Sequence, residues 1–330
     1  MREPASHFPS EIQASKERCS DSHPPDPAWP SDDGDEAIDL RRTVDEFLSF
    51  DASEGGHAAR HWPELISKAF PTLVGKPLAD QLLALVLETK RRRGLTRGGL
   101  QVIEYFAGAG MIAYFAILNK LQVAQFDKCY SNAHDCQTAL GLRNWMDALM
   151  DTAADAWAWM ASQCSSWVIL CRYNSKRSDA NQYLGDIDKP FVQEGNYLMA
   201  ITSLLFFLAR LIDVNPVVEQ PLNSCMGKAP PFSTVLKFDA SIRTSTYLEA
   251  FGAPSAKPLQ LWHSNDSLSS IKRTINMRNR AGREKLYTVS ASPLGRRRFS
   301  GKKKDLKQSQ QYPWQFGLAV VQIMTRSKDV

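Results

Sequence analysis

The chain has 330 residues, 43% hydrophobic and 10% aromatic. That excludes a wholly disordered polymer and allows one large domain or two modest ones with a real core. The net charge of +5 conceals an asymmetry: residues 1–59 hold 14 Asp/Glu against 5 Lys/Arg, so the remainder stands at +14, a balance suited to an anionic partner, most commonly nucleic acid, or to a merely solubilising surface.

Six scattered cysteines without CxxC spacing read as reduced thiols of an intracellular protein, nuclear or cytoplasmic, and not as a disulfide scaffold or a zinc finger. The start, MREPASHFPSE, lacks the apolar core of a signal peptide. The longest apolar run, 197–212, is interrupted by Arg210. It is short for a bilayer span and is expected as a buried helix, with no membrane partner.

Residues 1–58 are Pro-, Ser- and Asp-rich and are expected to form a disordered acidic tail, with a short helix an option near AIDLRRTVDEFLSF. Residues 59–98 read as a helical lead-in. Leu78, Leu82, Leu85 and Val86 make a stripe at helical spacing, and Lys90 to Arg93 suit a helix C-terminus. From 99 onward the period alternates. LQVIEYF is a strand, AGAG a turn, MIAYFAILNK a helix and LQVAQFD a second strand. SNAHDCQTALGL is expected to be helical and AWAWMAS a strand. A helix at 196–212 and the strand NPVVEQP follow. Such alternation predicts a Rossmann-like, doubly wound, mostly parallel α/β domain over 99–330. SIRTSTYLEAFG and KPLQLWHS add β character. Residues 272–307 form a basic insertion of 13 Lys/Arg against Glu284 and Asp305, and YPWQFGLAVVQIMTR reads as a Pro-started amphipathic helix.

In a doubly wound sheet, ligands sit at the carboxyl ends of the strands. Four polar tips would gather there: the 104–110 turn, Asp127, the 162–167 segment and Glu219–Pro221. Gly108 and Gly110 let a ligand approach the backbone. Asp127, about 20 residues on, suits ribose hydroxyls. A tight structural joint and a surface carboxylate fit the same residues.

EYFAGAGMIAYFA resembles the first motif of S-adenosylmethionine-dependent methyltransferases, in the FAGxG form of the cytosine-5 methyltransferases. ASQCSSW is similar to their Pro-Cys loop and VVEQP to their Glu-Asn motif; EAFGAPSAKPLQLWHSND is similar to a segment of phage-type relatives. The strings CSSW, SKRS, LGD and VEQP also resemble those of uncharacterised algal and dinoflagellate proteins. The resemblance spans roughly 100–325 and is close only in the first motif.

It implies S-adenosylmethionine as cofactor, bound by Glu104, Phe106, Gly108, Gly110 and Asp127. It also implies Cys164 as a nucleophile adding to cytosine carbon 6, and Glu219 as the acid at ring nitrogen 3. The partner would be nucleic acid, DNA before RNA, with the base flipped from a duplex. Arg172, Lys176 and Arg177 follow the cysteine loop and could hold a phosphate or lie on a solvated loop. Gln163 stands where the family has Pro, and Gln220-Pro221 where it has Asn-Val. A catalytically inactive, methyltransferase-like nucleic-acid-binding or interaction module is the alternative. A methyltransferase for a small molecule or protein is a third. APPF at 229–232 and the Cys129/His134/Cys136 group are expected to be decoys for an amine clamp and a metal site.

Overall fold

A computed structural model describes residues 99–238, 241–276, 288–291, 297–300 and 311–326. The expectations for 1–58 and 59–98, and most of those for 272–307, lie outside these residues.

The described chain is mixed α/β around a six-stranded, mostly parallel sheet. The strands are β1 (Leu100–Tyr105), β2 (Val123–Phe126), β3 (Thr152–Met160), β4 (Asn215–Pro221), β5 (Ile242–Tyr247) and β6 (Pro258–His263), in the order β2-β1-β3-β4-β6-β5. Only β6 runs against the others in this sheet. A separate hairpin pairs β7 (Thr288–Ala291) with β8 (Arg297–Ser300). The chain steps from β1 out to β2 and then returns to the opposite side of β1 as β3. The direction of winding therefore reverses between β1 and β3, where an open α/β sheet forms a crevice.

The helices are α1 (Met111–Leu118), α2 (Ala139–Met150), the single turn α3 (Arg172–Ser175), α4 (Pro190–Leu211), α5 (Phe232–Phe238) and α6 (Trp314–Arg326). One face of the sheet carries α2, α4 and α5; the other carries α1 and α6. The segment AWAWM of β3 shows how the sequence supplies both faces. Ala156, Ala158 and Met160 join the α2/α4 core, whereas Trp157 and Trp159 join the α1/α6 core. Each indole buries roughly 200 Å², about 5 kcal/mol of transfer free energy. The unpaired Trp157 Nε1 offsets part of it.

Two elements differ from expectation. The segment at 131–142 is a single tight turn, Asn132–His134, and the helix begins only at Ala139. Polar side chains divert the backbone there: Thr138 accepts from the Gly141 N–H as a cap, and Asp135 accepts from the Gln137 N–H. Helix α4 starts at Pro190, six residues earlier than expected, with proline in its first turn. It is the one described helix long and apolar enough to cross a membrane, and most of it is buried in the core.

Candidate functional site at the strand tips

β1 ends in Tyr105, and Phe106, Gly108 and Gly110 all take positive φ. The two glycines adopt that region at little cost, whereas Phe106 is held there by an edge-on contact with Trp145, ring centroids 4.8 Å apart. Gly108 is exposed, and a Cβ placed on it would meet nothing within 4 Å. The turn is therefore open on its outer side. Gly110 is closed, its Cβ position lying 2.7 Å from Gln125 Oε1.

Two carboxylates hold the turn from beneath. Glu104, 1% exposed, accepts from the Ala113 N–H at 2.7 Å and the Ile112 N–H at 3.4 Å, satisfying the N-terminus of α1. Burial pushes its carboxyl up to about 8; the two N–H groups oppose the rise and the Asp127 charge adds to it. Asp127 accepts from the Gly108 N–H at 2.9 Å with one oxygen and from the Cys129 N–H at 2.9 Å with the other. The Tyr130 hydroxyl donates to the Gly108 carbonyl at 3.2 Å. Glu104, expected to bind a cofactor directly, has its oxygens turned into the helix terminus and acts on the turn from within. Asp127 lies at the turn itself and keeps spare lone pairs for a hydroxyl.

The cysteine side is built differently. Cys164 opens a tight turn in which its carbonyl accepts from Trp167 and Val168 N–H groups. Gln220 stands in β4 beside Glu219. Its Nε2 donates to the Ser162 carbonyl at 2.6 Å and the Ser162 hydroxyl at 3.2 Å, while its Oε1 accepts from the Ser224 hydroxyl. Alternation along β4 puts Glu219 on the other side. There its Oε2 accepts from the Tyr312 hydroxyl at 2.8 Å, and Trp159 Nε1 donates to the same Tyr312 oxygen at 3.3 Å. Burial raises the Glu219 carboxyl, opposed by Lys257 and by the Tyr312 donor. Burial also pushes the half-buried Cys164 thiol up to about 11; the Glu219 charge adds to this and Lys257 opposes it. Cys164 and Glu219 therefore lie within electrostatic reach of each other, and Tyr312 feels both Glu219 and Glu104. At neutral pH the free site therefore holds Cys164 as the thiol.

Tyr312 carries no motif, and reading the residues singly misses it. The signal was positional, because it precedes the Pro-started C-terminal helix. α6 packs on α1 through Gly317, whose missing Cβ leaves room for Met111, and on β3 through Phe316 against Trp159.

The three cations after the cysteine loop separate. Arg177 is 1% exposed. It donates to the carbonyls of Ser166, Tyr183, Leu184 and Val192, to the Ser166 hydroxyl and to Asn196 Oδ1. Its guanidinium also lies 3.3 Å over the Trp167 ring. Every donor is internal, so the expectation of a phosphate contact is corrected to a structural clasp on the cysteine loop. Burial lowers the guanidinium to about 10, still charged at neutral pH. Lys176 is exposed and pairs with Asp186 at 2.8 Å. Arg172 is exposed and borders two cavities, of about 620 Å³ and 280 Å³. Neither cavity reaches the glycine turn or Cys164. Of the residues at this rim Gly108 is exposed, Cys164 half-buried and Glu219 buried.

Among the described residues no group of three His, Cys, Asp or Glu side chains is disposed to hold a metal ion. Comparison with protein-family models, with curated proteins and with solved structures finds no match to this chain.

Proposed function

We propose that the chain is an S-adenosylmethionine-dependent methyltransferase with a Rossmann-like, doubly wound sheet, acting on nucleic acid at cytosine carbon 5. The observation that carries the reading is the Gly108 N–H donating directly to Asp127 in a turn open at Gly108, with Cys164 and Glu219 near the ends of the neighbouring strands β3 and β4.

Gly108 would let the cofactor lie against the backbone, Phe106 would flank it, and Asp127 would accept from ribose hydroxyls. Glu104 would hold the α1 terminus in place beneath them. The Asp127 carboxylate at the turn suits a ligand carrying a positive sulfonium and amine. The cofactor supplies an electrophilic methyl group. Glu219, with its raised proton affinity, is disposed to donate to ring nitrogen 3 of a cytosine. Once protonated, it no longer opposes ionisation of Cys164, and Lys257 then favours the thiolate that adds to carbon 6.

Titration with S-adenosylmethionine, followed by transfer of a labelled methyl group to cytosine-containing DNA, tests the reading. Cys164→Ser is expected to abolish transfer and leave cofactor binding unchanged. Full transfer by that variant removes the covalent step; absence of cofactor binding in the wild type removes the enzyme.

One observation favours a second reading, an inactive module that keeps nucleic-acid binding. The Cys164 thiol is held high, and Gln163 beside it is exposed and donates to the Ser165 hydroxyl at 3.0 Å. Salt-sensitive DNA binding without cofactor binding would select that reading.

A further inference from the structure

Glu219 stands near the end of β4 with one carboxyl oxygen already engaged. The Tyr312 hydroxyl, from 93 positions further along the chain, donates to its Oε2 at 2.8 Å. The direction of that bond is forced. An indole N–H can only donate, so Trp159 Nε1, at 3.3 Å, uses the Tyr312 oxygen as an acceptor. The Tyr312 proton is then the one that faces the carboxyl group. Oε2 is held as an acceptor, and a proton bound by Glu219 belongs on Oε1.

The Tyr312 ring is fixed in place. It meets Trp159 edge-on with centroids 6.1 Å apart and lies 5.0 Å from Phe316. The Pro313 carbonyl, next in the chain, accepts from the Phe316 and Gly317 N–H groups and so joins Tyr312 rigidly to α6. α6 in turn is seated on Met111, the residue that follows the glycine turn. The titratable groups around the pair are Cys164 after β3, Lys257 before β6 and, facing Tyr312, Glu104 of β1. Burial raises the Glu219 carboxyl, whereas Lys257 draws it down by its charge and Tyr312 by its hydrogen bond.

We propose that Tyr312 is the positioning residue of Glu219: it holds Oε2 as an acceptor, so that the proton Glu219 gives up is carried on Oε1. That cytosine ring nitrogen 3 receives this proton rests on the methyltransferase reading; the pairing itself does not. In the transfer the Oε1–H bond breaks, an N–H bond forms on the ring, and the electron pair of the broken bond stays on the carboxylate. Tyr312 keeps its own proton throughout. Negative charge develops beside its hydroxyl, and a hydrogen bond to a charged acceptor is roughly twice as strong as one to a neutral acceptor. Tyr312 therefore stabilises the later stages of the transfer more than its start.

The test follows the carboxyl resonance of Glu219 by NMR against pH in the full chain, labelled at its glutamate carboxyls, with the signal identified by its loss in Glu219→Gln. Two replacements change the donor in opposite directions. Tyr312→Phe removes the hydroxyl and is expected to raise the Glu219 titration midpoint by about one pH unit, the value of a hydrogen bond to a charged group. Replacing Tyr312 by a tyrosine fluorinated at both carbons beside the hydroxyl strengthens the donor and is expected to lower the midpoint. A side chain that only filled space would not move it both ways. In the labelled-methyl assay, the break that Glu219 sets in the pH profile of kcat/KM should follow the midpoint in direction and size. Unfolding midpoints report whether Tyr312→Phe folds, and the fluorinated chain decides alone if it does not. A Glu219 midpoint unmoved by these replacements, or moved the same way by both, overturns the proposal. Midpoints that move in opposite directions in a chain without methyl transfer uphold the hold of Tyr312 on Glu219 and remove the methyltransferase reading.

Discussion

The two halves of the rim are held by opposite means. On the glycine side, carboxylates accept from backbone N–H groups: Glu104 from α1, Asp127 from Gly108 and Cys129. On the cysteine side, buried donors reach backbone carbonyls: Arg177 to four of them, Gln220 to Ser162. Acidic side chains suit a helix N-terminus and a turn rich in free N–H groups. A cation suits carbonyls that converge from separate segments, here Ser166, Tyr183, Leu184 and Val192. The lesson is that the first half is tied through backbone N–H groups and leaves Gly108 exposed, whereas the second is tied through side chains and hangs chiefly on Arg177.

Removing that residue should break the comparison most severely. Arg177→Ala takes a donor from six acceptors, of which the Leu184 carbonyl keeps Asn196 Nδ2, and is expected to cost about 4 kcal/mol, read from the urea unfolding midpoint. Arg177→Lys should recover less than half of it, because an ammonium cannot reproduce the fork. A loss below about 1 kcal/mol for the alanine variant would mean that the cysteine loop is held by something else.

The glycine side should respond to pH instead. In the folded chain the Glu104 proton stays on to about 8, whereas an unperturbed carboxyl loses it near 4.5. Between those values the folded state binds more protons, so stability declines as pH rises, by at most about 1.4 kcal/mol per unit. Glu104→Gln should flatten that slope in unfolding curves taken from pH 5 to 8. An unchanged slope would assign it to another group.

The smallest structural effect is expected from Asp127→Asn. One oxygen is replaced by a donor facing an N–H, a cost of about 1 kcal/mol in stability. S-adenosylmethionine affinity should nonetheless fall about 10- to 100-fold, the value of a hydrogen bond to a charged group. Equal affinity in the variant would separate the acidic tip from the cofactor.

Much of the framework was legible beforehand, for local reasons. NPVVEQP ends where strand propensity ends, and the small–large alternation of AWAWM declares a strand with two unlike faces. The helix expected at 131–142 was misread because Asp135 and Thr138 bond their own backbone, a choice that apolar periodicity does not register. Of the rim, the glycine turn and Asp127 were legible because their spacing is set within a single β-α-β unit.

Glu104, Arg177 and Tyr312 were not legible in their roles. A Glu in an apolar strand reads as a candidate ligand until its partner N–H groups, eight and nine residues on, are seen. Arg177 in a polar stretch reads as solvated or phosphate-bound until Ser166 and Val192 close around it. The chain by itself determined which segments are strands, where a turn must admit positive φ, and that the domain is basic, since these follow from each residue's own chemistry and its neighbours. Only tertiary structure decided which charges are buried and which donors remain open to a ligand. Those outcomes depend on contacts between segments as distant as Glu219 and Tyr312, 93 positions apart, whose pairing no local pattern encodes.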